Sequence, residues 1–197
     1  MSLRSRLCRR VCGDNCSSEE QARELLAMLQ HRFAERKLQL HPQKTKIVYC
    51  KDANRRGNYP EQRFDFLGHT FRPRGVKNRS GEFFISFSPA VSVKAIKAMR
   101  QVLRRWKLPH RGDLATEDLV NWLQPGVRGW IHYYGRFCPS TLYRALHMVD
   151  ELLVRWARRK YKWLRMHTTR AWAWLERLTS RQPDLLPHWQ LAAKVGR

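Results

Sequence analysis

Carboxylates are scarce in this chain: 16 Asp and Glu face 39 Lys and Arg across 197 residues, a formal charge of +23 at pH 7. A surplus of that size calls for a polyanionic partner. Long apolar runs are missing too. None approaches the roughly 18 residues needed to span a bilayer, so no membrane partner is expected. The basic start (Arg4, Arg6, Arg9, Arg10) has no apolar segment behind it, which argues against a secretory signal and for a cytoplasmic location. Cysteines number five, an odd count that points to free thiols rather than a disulfide framework. Cys8, Cys12 and Cys16 recur every four residues, which would align them on one helix face. Yet no Cys-x2-Cys or His-x3–5-His pair completes a tetrahedral set. Cys50 and Cys138 stand alone, so neither a metal nor another cofactor is expected. Internal repeats and low-complexity tracts are absent as well.

Aromatic side chains, by contrast, are plentiful. Eight Trp, eight Phe and six Tyr are too many for a disordered basic tail, and the length suits one domain or two small ones. The first sixteen residues show no clear period. Ser17 or Ser18 then caps a helix, with Glu20 or Gln21 closing a capping box. Ala22, Leu25, Leu26, Leu29 and Phe33 form its apolar stripe to about Lys37. Ile47-Val48-Tyr49 reads as a short strand and residues 51–62 as a polar loop. Phe64 to Phe71 and Phe83 to Phe87 read as strands of a β-hairpin. Arg72-Pro73-Arg74-Gly75 and Asn78-Arg79-Ser80-Gly81 supply the turn chemistry between them.

After Pro89 the pattern becomes helical. One helix spans Val91 to about Trp106, a short one capped by Thr116 runs through Leu123, and Pro125 opens the next. Pro139 opens a longer one with Leu142, Leu146, Val149, Leu152, Leu153 and Trp156 inward, and a further helix covers about Trp163 or Thr168 to Leu178. The expected class is α+β, mainly α-helical. The expected segments are an irregular basic N-terminus (1–16), a mixed α/β part (17–89), a helical domain (90–180) and a tail (181–197).

Two stretches carry the chemistry. Arg128-Gly129-Trp130-Ile131-His132-Tyr133-Tyr134 puts a cation, a glycine and three large aromatics into seven residues. Trp130, Ile131 and Tyr134 suit a buried stripe, leaving Arg128 and Tyr133 for contact with a partner. Between Glu151 and Arg170, seven cations face one acid: Arg155, Arg158, Arg159, Lys160, Lys162, Arg165 and Arg170 against Glu151. Trp156, Tyr161 and Trp163 are threaded through them. Helical spacing places Arg155, Arg158, Arg159 and Lys162 on one face, with Trp156 and Trp163 on another, so tryptophans inward and arginines toward phosphate is the expected arrangement. No helix-turn-helix or zinc-finger pattern points to duplex DNA, whereas a folded RNA offers phosphate ridges, 2′-hydroxyls and unstacked bases.

Several of these segments resemble the group II intron reverse transcriptases of bacteria. Leu38 to Tyr49, with Lys44 at its centre, is similar to the segment that follows the catalytic motif of the palm. Glu19 to Arg36 resembles the palm helix before it. Phe64 to Phe71, containing Phe66-Leu67-Gly68, is similar to the hairpin that closes the palm. Val91 to Lys160, centred on Gln124 to Tyr134, resembles the maturase-specific (thumb or X) domain. The resemblance covers residues 17 to about 165. It implies binding to the intron's folded RNA, with Arg128, Tyr133, Arg155, Arg158, Arg159, Lys160, Lys162 and Arg165 as contacts and Lys44, Phe66, Leu67 and Gly68 as a palm remnant.

The departure from that family matters as much. Polymerising members carry a Tyr-Ala-Asp-Asp element just before the region where this sequence starts, and two-metal phosphoryl transfer needs such paired carboxylates. Here Asp14 is the only acid before Glu19, so the resemblance implies a C-terminal fragment with no catalytic residues, not expected to polymerise alone. Two alternatives stay open. A separate N-terminal reverse-transcriptase fragment would complete the palm and bring Mg2+ with it, or the chain is a remnant with residual polyanion binding.

Overall fold

In the computed structural model, residues 16–54, 57–78 and 80–194 are described, with side chains to Leu191. Cys8, Cys12, Asp14, Arg79 and the basic residues of the N-terminus lie outside them. The protein is 55% helical with one small antiparallel sheet, which bears out the mainly helical α+β class. The elements are α1 (Glu19–Glu35), β1 (Phe64–Phe66), β2 (His69–Lys77), β3 (Phe83–Val91), α2 (Val93–Arg105), α3 (Thr116–Tyr134), α4 (Pro139–Lys160), α5 (Thr168–Arg181) and α6 (Pro187–Lys194). Short 3-10 turns lie at Leu108–His110 and Lys162–Leu164. The chain forms two units, Met1–Phe66 with Arg72–Ser86, and Leu67–Phe71 with Phe87–Arg197.

In the first unit, α1 starts where its chemistry dictates. The Ser18 hydroxyl accepts from the Gln21 amide, and the Gln21 side chain accepts from the Ser17 amide and hydroxyl. Of its stripe residues, Ala22, Leu25, Leu26 and Phe33 are partly buried and Leu29 is exposed, and no residue of the helix is fully buried. The helix closes in a Schellman turn with Lys37 left-handed (φ 58°), the Leu38 amide reaching the Phe33 carbonyl. The strand expected at Ile47–Tyr49 does not form. That segment has no regular secondary structure, and the Tyr49 amide donates to the Glu61 carbonyl outside any ladder.

The sheet has the order β1-β2-β3. Phe64 to Phe71 is two strands rather than one. Leu67 and Gly68 both adopt positive φ, 46° and 75°, the signature of a two-residue hairpin turn. Arg72 to Gly75, expected as a turn, continues β2. β1 is only three residues long, so past the β1 pairing Pro73 costs no ladder bond on that flank. The second turn is held by the Asn78 side chain, which bonds the Glu82 amide and carboxylate.

The second unit contains the core. Ser92, buried at the end of β3, caps α2 by accepting from the Ala95 amide. The α4 helix is its axis, with Leu142, Leu146, Val149, Leu153, Val154 and Trp156 buried along one side. The Trp156 indole, fully enclosed, donates to the Arg111 carbonyl at 2.8 Å, so its one polar atom is satisfied. Thr116–Tyr134 is one continuous helix, not two, with Pro125 inside it. Pro125 and Asn121, whose carbonyl loses its helical donor, are both exposed, so water can take the freed acceptor. Trp106 stacks on Trp130 (centroids 5.9 Å apart), and Gly126 lets Trp106 close in. In the segment expected as a tail, Leu186 just before α6 and His188, Trp189 and Leu191 on it are all buried.

Candidate nucleic-acid interface

Most of the expected basic residues converge on one groove. It has a volume of about 900 Å³ and is lined by Leu103, Arg104, Lys107, Pro109, His110, Leu152, Arg155, Arg158, Arg159, Lys160, Lys162 and Arg165. Eight of these twelve side chains are cations and none is an acid, so the field in the cleft is positive along its length. Walls of protein focus such a field and lessen its screening by salt.

The helix end makes this possible. The α4 helix stops at Lys160, and the Lys162–Leu164 turn redirects the chain, so Lys162 and Arg165 line the groove from off the helix rather than along one face. Arg104, at the end of α2, and Lys107, just past it, come from far earlier in the chain. Periodicity does not associate them with α4, and their charge is the only signal the sequence offers.

Not every cation points to solvent. The Arg158 guanidinium donates twice to the Arg165 carbonyl, at 3.3 and 3.1 Å, and pins the turn. Arg159 donates to the His110 ring at 3.1 Å. The Lys160 ammonium donates to the Leu114 carbonyl and lies 5.1 Å from the centroid of the Trp156 ring, so it is spent internally. Arg155 sits 3.5 Å from Glu151, an exposed pair of little energetic weight. Lys162 and Arg165 are exposed.

Trp156 and Trp163 part company. Trp156 is fully buried, whereas Trp163, expected inward, stands 52% exposed on the turn. A helical count through residue 163 assumes a helix that in fact ends at Lys160.

The other expected residues lie elsewhere. Arg128 is exposed on α3, outside the groove lining. Tyr133 is half exposed, but its hydroxyl donates to the Leu67 carbonyl at 3.0 Å. That carbonyl also accepts from His69 Nδ1 at 3.2 Å. His69 is buried among Tyr133, Tyr134 and Phe137, with ring centroids 5.2 to 5.5 Å away. Burial pushes the His69 pKa down, against the upward pull of the Leu67 hydrogen bond, and burial pushes the Tyr134 phenol up. Sequence pattern does not single out His69 for this place, because its aromatic partners lie in a helix far along the chain.

Lys44 is exposed on a turn whose amide reaches the His41 carbonyl. Phe66 and Leu67 are exposed, and Gly68 is the second turn residue. Among the described residues, no group of three His, Cys, Asp or Glu is placed to hold a metal ion. No helix there is long and apolar enough to cross a membrane.

Residues 96–174 match the family model for the group II intron maturase-specific domain. The maturase resemblance read from Gln124–Tyr134 and its surroundings is thereby borne out for that stretch; the palm resemblance over 17–89 falls outside the matched residues. No curated protein and no solved structure matches the chain. Every residue lining the basic groove falls within residues 96–174.

Proposed function

We propose that this protein binds folded group II intron RNA through its maturase-specific domain and assists splicing by stabilising the RNA's active structure, while the RNA performs the chemistry. The observation that carries this reading is the acid-free groove of eight cations inside residues 96–174. Its charges suit phosphates brought close together by RNA folding, and a protein with higher affinity for the native fold shifts the RNA toward it. Arg155, Arg159, Lys162 and Arg165 are the contact residues, and Arg158 holds the turn that carries Lys162 and Arg165. The test is equilibrium binding to a folded group II intron RNA and to an unrelated structured RNA of equal length across a salt series. A preference for the intron that persists at physiological salt supports the reading. Equal affinities that collapse together reduce the groove to charge neutralisation.

A second reading draws on α1, where Met28 is 69% exposed and no residue is buried. A separate chain carrying the Tyr-Ala-Asp-Asp element would cover this helix and supply the Mg2+ carboxylates. Mixing the two chains and assaying RNA-directed DNA synthesis separates this reading from the first.

A further inference from the structure

Trp163 is the most exposed of the tryptophans, at 52%, and it sits on the turn that contributes Lys162 and Arg165 to the groove. The turn is rigidly held. Leu164 next to it is fully buried, and the Leu164 amide donates to the Tyr161 carbonyl at 3.0 Å. The Arg158 guanidinium clamps the Arg165 carbonyl from the α4 side. Tyr161 in turn packs edge-on against buried Trp156. An indole half in water on a fixed turn, between two exposed cations, is poorly explained by core packing, since the core already encloses Trp156 and Trp189.

We infer that Trp163 is a stacking platform for an unpaired nucleobase, with Lys162 and Arg165 holding the phosphates on either side of that nucleotide. Rigidity matters here because a preplaced ring loses little freedom on binding. Any base has a π-face, so the site is tolerant of sequence but not of structure: bulges and loops offer a free base, and a continuous A-form helix does not. The inference rests on the RNA-binding reading above and assigns one of its contacts to a base rather than to phosphate.

The experiment uses the full chain with two RNA hairpins of equal phosphate count. One contains a single bulged 2-aminopurine, and the other is fully paired. Affinity and 2-aminopurine fluorescence are measured for the wild type, Trp163→Ala and Trp163→Phe. The wild type is expected to prefer the bulged hairpin by about tenfold, the usual scale of one base–aromatic stack, and to quench its fluorescence. Trp163→Ala should lose both effects while binding the paired hairpin as before, and Trp163→Phe should retain most of each. Loss of affinity for both hairpins alike, or a bulge preference that survives in Trp163→Ala, overturns the stacking site alone. If the wild type binds neither hairpin nor intron RNA, both the inference and the reading beneath it fall.

Discussion

The phenol of Tyr134 occupies the space beside Gly68: a Cβ built on that glycine would lie 2.8 Å from the phenol oxygen. Gly68 also holds φ at 75°, where a side chain costs about 1–2 kcal/mol before any clash. Gly68→Ala should therefore destabilise the second unit by roughly 2 kcal/mol or more, read as a lower urea midpoint. Adding Tyr134→Phe removes the nearest atom and should recover part of the loss. An unchanged midpoint in Gly68→Ala would contradict this packing.

Acid should loosen the same corner. His69 Nε2 is buried without a hydrogen-bond partner, so a proton there is accepted more readily once the chain unfolds. With the folded pKa below the ordinary 6.5, this group contributes nothing pH-dependent above about pH 6.5. Below it, stability falls as pH falls, until the folded pKa is passed. Urea melts between about pH 5 and 7.5 should show that decline, and His69→Gln should flatten it.

Asp150 fastens α6. Its Oδ1 accepts from His188 Nε2 and from the Trp189 indole, both at 2.9 Å, and all three residues are buried. Asp150→Ala strands two buried donors and should cost about 3 kcal/mol. Asp150→Asn keeps an acceptor and should cost less. Limited proteolysis between α5 and α6 should accelerate in the first variant well before global unfolding.

On the proposed RNA-binding reading, charge removal in the groove separates the cations assigned to RNA contact from those that hold the scaffold. Replacing Arg155, Arg159 and Lys162 with Gln should lower intron affinity and make the salt dependence shallower, by about one unit of slope for each phosphate no longer neutralised. Lys160→Gln should do the opposite. It costs stability through the Leu114 carbonyl and the Trp156 face while leaving the salt slope nearly unchanged. A salt slope that drops in Lys160→Gln but not in the triple variant would refute the division.

Local patterns are legible in the sequence, and distant ones are not. The cap at Ser18 and the stripe of α4 from Leu142 to Trp156 follow from spacing and hydrogen-bonding chemistry within one or two turns. Ser92 reads as part of a helix rather than as its cap, because Val91 still looks helical by composition. Pro125 reads as a helix start because its cost depends on whether the freed Asn121 carbonyl reaches water, a matter of tertiary exposure. Leu67-Gly68 reads as strand because a leucine at positive φ is rare, and only its surroundings hold it there. The groove is half visible: the α4 end announces itself by charge, but Arg104 and Lys107 join it through packing of α2. Trp163 reads as inward only while its helix is taken to continue past Lys160.

The Leu67-Gly68 turn has a bearing on how this domain can be cut from one protein and set into another. The Leu67 carbonyl takes the Tyr133 hydroxyl, and the Gly68 carbonyl takes the Ser92 amide at 2.9 Å. A graft limited to residues 96–174 would carry Tyr133 and Tyr134 away from the turn they close upon and expose His69's aromatic cage. A graft has to include residues 67–69 as well, so Leu67-Gly68-His69 and Arg-Gly-Trp-Ile-His-Tyr-Tyr, distant on the chain, have to be inherited together.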